Sequence, residues 1–395
     1  MIINRNRLEG TILELGNIGF QENIGTSRMA YSKAFIAGRD YVKQCMEKAG
    51  LKTQIDPVGN LTGRLCGKSN RIISIGSHID TVPGGGMYDG ALGVLAGIEA
   101  VRTLQENGYF PHNTIEIIAF NEEEGNVVGG TFGSKSFTGQ RQEQSALDKL
   151  GHYGMCQRDI DDSCRDPYAY RCYLELHIEQ GGVLEHTKRD IGIVEGIVGI
   201  VRYMVTVQGE ANHAGSTPMN LRDDALLKAC KLIQGIVTIS GEIDPAMTCT
   251  VGNVSVEPGA VNVVPGRVTF PIELRTLHTD HITKAIERFQ SEFARMNMTV
   301  ENFLWQDATI MDKSLQETIE DACKSCGYSY QYMPSGAGHD AINMALFTPT
   351  AMLFIPSIGG ISHSIHEYSR PEDLAAGTQV LLETILKLDN KEQLP

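Results

Sequence analysis

Apolar and polar positions divide the chain into alternating strand-like and helix-like runs. Short runs at 72–77 and 114–120, rich in β-branched residues, and further runs at 173–177 and 351–355 read as strands, and each gives way to polar residues. Between them apolar residues recur at helical spacing. Phe35, Ile36, Val42, Cys45, Met46 and Ala49 mark a helix over 31–49 with Gly50 as its C-cap. Leu92, Leu95, Ala96, Ala100 and Leu104 mark another over 90–106. Extended pieces are predicted at 52–56, 61–66 and 328–332, and helices at 314–326 and 371–388. Glu372 and Asp373 suit the first turn of the last helix, where carboxylates complement the dipole. From 140 to 171 the pattern weakens and predicts one short helix. Strands that alternate with helices indicate an α/β fold with a sheet at least partly parallel. In such sheets ligand groups gather beyond the carboxyl ends of the strands.

The organisation changes near Gly199. A strand at 201–207, a helix at 222–240, strands at 248–256 and 267–274, a helix at 279–296 and a strand at 299–303 follow. This β-α-β-β-α-β order is the ferredoxin-like arrangement. The chain therefore reads as a catalytic domain in two parts, 1–199 and 310–395, interrupted by an inserted α+β domain at 200–309.

The polar strand ends carry the candidate chemistry. His78 and Asp80 close the first strand, and the turn at Gly84, Gly85 and Gly86 returns the chain so that Asp89 and Gly90 open a helix. Asn121-Glu122-Glu123-Glu124-Gly125 closes the second, and Glu175, His177, Glu179 and Gln180 cluster around the end of the third. A terminal loop adds His363 or His366. Buried carboxylates and imidazoles must be paired or hydrogen-bonded, and this mixture suits a divalent ion such as zinc or manganese. His78, Asp89, Glu124, His177 and one terminal-loop histidine are too many ligands for one tetrahedral ion. They suggest two ions about 3.5–4 Å apart with a shared carboxylate, for which Asp89 is the candidate. Of the consecutive Glu123 and Glu124, one can bind metal while the other takes a proton from water acidified by the metal. Asp80 is expected to orient the second nitrogen of His78.

Composition narrows the classes. With 34 basic and 48 acidic residues the formal charge is −14, which argues against binding nucleic acid, a task that relies on clustered Lys and Arg. A small anionic substrate needs only one or two local cations and remains compatible. No stretch approaches the length of a membrane span, the first residues hold no apolar signal core, and nine scattered cysteines suit a reducing cytoplasm. Cys323 and Cys326 form a CxxC inside a helical pattern with no second pair, so they are read as incidental.

Together GSHIDTVPGGGMYDG, NEEEG, ELHIEQG, GEANHAGSTPM, PGAVNVVPG and GISHSIHE resemble the dinuclear metallo-amidohydrolases of the zinc-peptidase-like fold. Within that fold they look like the branch of allantoate amidohydrolase, N-carbamoyl-L-amino-acid hydrolase and β-alanine synthase, from about residue 7 to residue 388. The resemblance implies a catalytic domain of that fold with an inserted ferredoxin-like dimerisation domain, a homodimer, and two divalent ions (zinc or manganese, with cobalt possible). It implies His78, Asp89, Glu124, His177 and His363 as ligands, with Asp89 bridging, and Glu123 as general base. His213 would reach the substrate from the small domain and steady the oxyanion. Gln180, Asn262, Arg275, Gly338 and His339 would bind substrate, and Asp80 would support the ligands. An arginine fork suits a substrate carboxylate.

The implied reaction is hydrolysis of a ureido C–N bond, with allantoate as the first expectation and an N-carbamoyl-L-amino acid as the alternative. A metallo-aminopeptidase or dipeptidase fits the ELHIEQG signature, Asn262 and Arg275 less well. One departure stands out. Many relatives carry an Arg-Phe pair after the EEG unit, and here the chain reads Asn126-Val127-Val128-Gly129-Gly130.

Overall fold

The structure is a computed structural model that describes residues 1–142 and 144–390. The chain divides into two units, residues 1–195 with 311–395, and residues 196–310.

The centre of the first unit is a run of parallel strands in the order Thr350–Ile355, Tyr170–Ile178, Ser69–His78 and Asn113–Phe120. Leu61–Leu65 and Lys52–Ile55 extend it antiparallel at one side. Every residue of the Asn113–Phe120, Tyr170–Ile178 and Thr350–Ile355 strands is buried, as are the last seven of Ser69–His78. Such continuous burial explains why these strands are mostly apolar without a strict alternation: both faces of a parallel sheet are covered. Register brings the carboxyl ends level, with His78 beside Phe120 and His177 beside Phe354.

The helices form where periodicity and capping agree. Lys33–Lys48 begins with Ser32 accepting the Phe35 N–H and buries Phe35, Val42, Cys45 and Met46. Ala91–Glu106 is buried on almost every side, which fits its place at the heart of the core. It starts at Gly90, in a left-handed conformation, where a Cβ would lie 2.4 Å from Nε2 of His78. Glycine is required there so that the imidazole can approach the helix start.

In the second unit an antiparallel sheet runs Thr248–Thr250, Arg267–Thr276, Gly199–Gln208, Met298–Gln306, with Ser255–Glu257 also paired to Arg267–Thr276. Helices Ala225–Ile243 and Thr279–Glu292 share a core with these strands. Along Gly199–Gln208 and Arg267–Thr276 buried positions alternate with more open ones, the signature of a sheet covered on one face.

Several expectations need correction. The weak stretch between 140 and 171 holds two short α-helices, Gln144–Gly151 and Gln157–Ser163, where one was expected, and a further short helix, Phe132–Phe137, precedes it. The strand expected at 248–256 is two short pieces, and the helix expected to reach 296 ends at Glu292. Helix Arg5–Asn17 and strand Ile191–Ile197 were not anticipated. No helix among the described residues is long and apolar enough to cross a membrane.

Candidate metal centre

Asp89 is the hub. His177 Nε2 lies 3.2 Å and His78 Nε2 3.8 Å from Asp89 Oδ1, while His363 Nε2 lies 3.1 Å from Oδ2. Glu124 Oε2 is 3.7 Å from His363 Nε2, and Glu123 Oε2 is 3.8 Å from His78 Nε2. Two groups of potential ligands therefore share one carboxylate: His78, Asp89 and His177, and Asp89, Glu124 and His363. His366 is exposed and belongs to neither group.

Backbone carbonyls set the histidine tautomers. His177 Nδ1 faces Ile178 O at 2.8 Å and His78 Nδ1 faces Asp80 O at 3.0 Å. In the neutral imidazole each Nδ1 is then the protonated nitrogen, and each Nε2 presents a lone pair toward Asp89. Lone pairs aimed at a carboxylate oxygen repel it unless a cation lies between them. Asp89 Oδ1 is buried and has no hydrogen-bond partner, as expected of an atom reserved for such a cation.

The charge balance tells the same story. Burial pushes the Glu123 carboxyl well above the usual range, reinforced by Asp340, Glu124, Asp80 and Asp89. Burial and Asp89 push Glu124 up to about 8. Burial alone would raise Asp89, but contacts with His177 and His363 hold it well below its ordinary value. His177 rises to about 9 because Asp89 outweighs its burial, and the Asp89 contact takes His363 to about 9. His78, with less help from Asp89, is lowered to about 4 by burial. Protons are a poor compromise among so many carboxylates, and divalent cations would satisfy them together.

Asp80 acts differently from the sequence expectation. It is the main-chain oxygen of Asp80 that meets His78, and its carboxylate instead accepts the backbone N–H of Glu123 and Glu124, each at 3.2 Å. Glu122, in a left-handed conformation, turns its Oε1 onto the N–H groups of Val127, Val128 and Gly129. Gln180 Nε2 donates to Asp89 Oδ2 at 3.0 Å and to Ser362 Oγ at 3.3 Å. His339 is buried, with Nε2 2.9 Å from Ser335 Oγ and its ring packed edge-on against His177. Gln180, Gly338 and His339 line the same cavity of about 190 Å³ as the two ligand groups. A third possible group, Glu175, His177 and His339, is a weaker candidate: Ser77, Tyr173 and the Ala341 N–H already occupy the oxygens of Glu175.

Three anticipated residues lie in the 196–310 unit. His213 pairs with Val263 in a short ladder, and the Ala214 N–H donates to Asn262 O, so His213 and Asn262 are neighbours. His213 Nδ1 accepts the N–H of Gly215 and Ser216, each at 3.1 Å, which leaves Nε2 as its donor. The Arg275 Nε donates to Glu273 at 2.8 Å, and Arg202 shares that carboxylate.

Residues 74–387 match peptidase family M20/M25/M40. The chain belongs to this family. It is 36% identical to an N-carbamoyl-L-amino acid amidohydrolase of Geobacillus stearothermophilus, over 99% of this chain and 100% of that one. It is also 36% identical to an allantoate amidohydrolase of Bacillus subtilis, over 97% and 98%. Among solved structures, a hydantoinase/carbamoylase family amidase from Burkholderia ambifaria superposes with a TM-score of 0.88 at 32% identity, covering 100% of this chain and 99% of that one.

Sequence reasoning missed some polar groups of this M20-family site. Asp340 is fully buried beneath it, and Glu367 is nearly so. The signal for Asp340 was present in SGAGHDA, where an acid in a glycine-bearing loop had no evident surface to occupy.

Proposed function

We propose that the chain hydrolyses the ureido C–N bond of allantoate, giving ureidoglycine, ammonia and carbon dioxide. As an M20-family member it is a metal-dependent amidohydrolase. The observation that carries the choice of allantoate is the wall of the cavity. Apart from the ligands and Glu123, its lining is Gln180, Ala337, Gly338 and His339, with no large apolar side chain. Two ureido groups and a carboxylate suit such a wall, whereas a bulky carbamoyl amino acid needs an apolar one. The equal identity to relatives of both names keeps N-carbamoyl-L-amino acids as the second reading.

In this reading His78, Asp89 and His177 would hold one divalent ion, and Asp89, Glu124 and His363 would hold a second. Bound zinc, manganese or cobalt would polarise the substrate carbonyl and acidify water. Glu123 belongs to neither ligand group, and crowding keeps its carboxyl basic. It takes a proton from the attacking water and delivers it to the leaving nitrogen. The C–N bond then breaks to an amine and a carbamate, and the carbamate falls apart to carbon dioxide and ammonia. His213 offers its Nε2–H to the developing oxyanion. Gln180, Asn262, Arg275, Gly338 and His339 bind the substrate, with Arg275 meeting its carboxylate. The 196–310 unit would also form the homodimer contact, and the enzyme would work in the cytoplasm.

The test is ammonia release from allantoate and from a series of N-carbamoyl-L-amino acids, with amino-acid release from a dipeptide measured alongside. The highest kcat/KM is expected on allantoate. A preference for a large apolar carbamoyl amino acid would transfer the assignment to the second reading, and cleavage of the dipeptide alone would overturn both.

A further inference from the structure

Glu367 has no role in the reaction described above, yet its carboxylate is buried beside the site, at 5% exposure. Oε1 accepts the N–H groups of Tyr88 at 3.0 Å and Asp89 at 3.1 Å. Oε2 accepts the hydroxyl of Ser362 at 2.9 Å, one residue before His363. The glycine turn is shaped around it, because a Cβ on Gly86 would lie 2.1 Å from Oε1. One carboxylate thus ties the backbone of Asp89 to the loop that carries His363.

A ring of hydrogen bonds closes the arrangement. Ser362 gives its single proton to Glu367, so its lone pair is what meets the Gln180 amide at 3.3 Å. The same amide reaches Asp89 Oδ2 at 3.0 Å. The direction of every bond in this ring follows from Glu367 being a pure acceptor. An amide at position 367 could still accept from Tyr88 and Asp89. Its NH₂ would then face Ser362, and the hydroxyl would have to turn away and give up its charge-assisted bond to position 367, which loosens the tie to the His363 loop.

We infer that Glu367 is a positioning residue that fixes Asp89 and His363 as a pair and so sets the affinity of the Asp89–Glu124–His363 group for a divalent cation. The inference rests on the metal-centre reading. The His78–Asp89–His177 group depends on Glu367 less, since both histidines sit on strands and are oriented by backbone carbonyls. Residues that orient ligands in this way typically change metal affinity by about 10–100-fold.

The experiment is zinc titration calorimetry on the full chain after chelator treatment, with elemental analysis for stoichiometry, for wild type, Glu367→Gln and Ser362→Ala. Wild type is expected to bind two equivalents. Each variant should keep one at wild-type affinity and bind the other about 10–100-fold more weakly, with the melting temperature of metal-free Ser362→Ala unchanged. Two equivalents of wild-type affinity in both variants, or equal weakening of both equivalents, would overturn the inference. Wild type that binds no zinc would instead remove the metal-centre reading, and the inference with it, a failure visible without any variant. If Glu367→Gln does not fold, Ser362→Ala decides alone, because it cuts only the His363 arm.

Discussion

The two ends of the Asn113–Phe120 strand treat buried carboxylates in opposite ways. At its amino end Asp389 accepts four hydrogen bonds: from the Tyr109 hydroxyl, the His112 and Asn113 N–H groups and the Asn113 side chain. Burial alone would raise its pKa, but these donors hold it below the ordinary value. Beyond the carboxyl end, Glu123 and Glu124 are crowded by Asp80 and Asp89, their pKa values are raised, and Asp89 Oδ1 has no partner. A carboxylate that serves stability is saturated with donors. One that serves chemistry is left short of them, and that shortage is what a cation or a proton in transit can fill.

The largest effect expected from this contrast is at Glu123. Glu123→Gln should lower kcat by about 10²–10⁴-fold with metal content intact, and the metal-free chain should melt no lower than wild type because the buried, crowded carboxyl it replaces draws no stability from ionising. Steady-state ammonia release, elemental analysis and thermal melting check the three parts. Retained turnover would mean that the base is misassigned.

Asp389 should show the reverse. Asp389→Asn is expected to cost about 1–3 kcal/mol of stability, measured by urea unfolding, while kcat/KM of the folded fraction stays at the wild-type value. Loss of activity without loss of stability would erase the distinction between the two ends.

A smaller effect follows from pH. Because the folded pKa of Asp389 is depressed, its stabilisation is complete above the unfolded value of about 3.9 and disappears as pH falls through the folded one. The stability gap between wild type and Asp389→Asn should therefore be constant from neutral pH down to about 4 and close below it. A gap that widens on acidification would contradict the donor count.

Much of this was legible from residues because burial and chemistry left separate marks. Strands covered on both faces had to be mostly apolar, so the cluster of carboxylates and imidazole at and beyond the ends of Ser69–His78 and Asn113–Phe120 stood out as strand-end groups. Helix Arg5–Asn17 was missed because its buried stripe is only Leu8, Ile12, Leu15 and Gly16 among charged neighbours. The short helices between 132 and 163 pack a small cluster of Val128, Phe132, Ala146, Leu150 and Ile160, drawn from three segments with too few turns each to show a period. The role of Asp80 could not be read from spacing, since HxD is compatible with either its carboxylate or its carbonyl facing the imidazole. Glu367 escaped for a related reason: its partners are backbone N–H groups 278 and 279 residues away, and no local pattern announces them.

The most direct test is a crystal structure of the chain grown with zinc, with anomalous scattering recorded at the zinc edge. Two peaks about 3.5–4 Å apart are expected on either side of Asp89, one contacted by His78 and His177 and the other by Glu124 and His363. Ordered density for all five side chains with no anomalous peak at Asp89 would contradict the account.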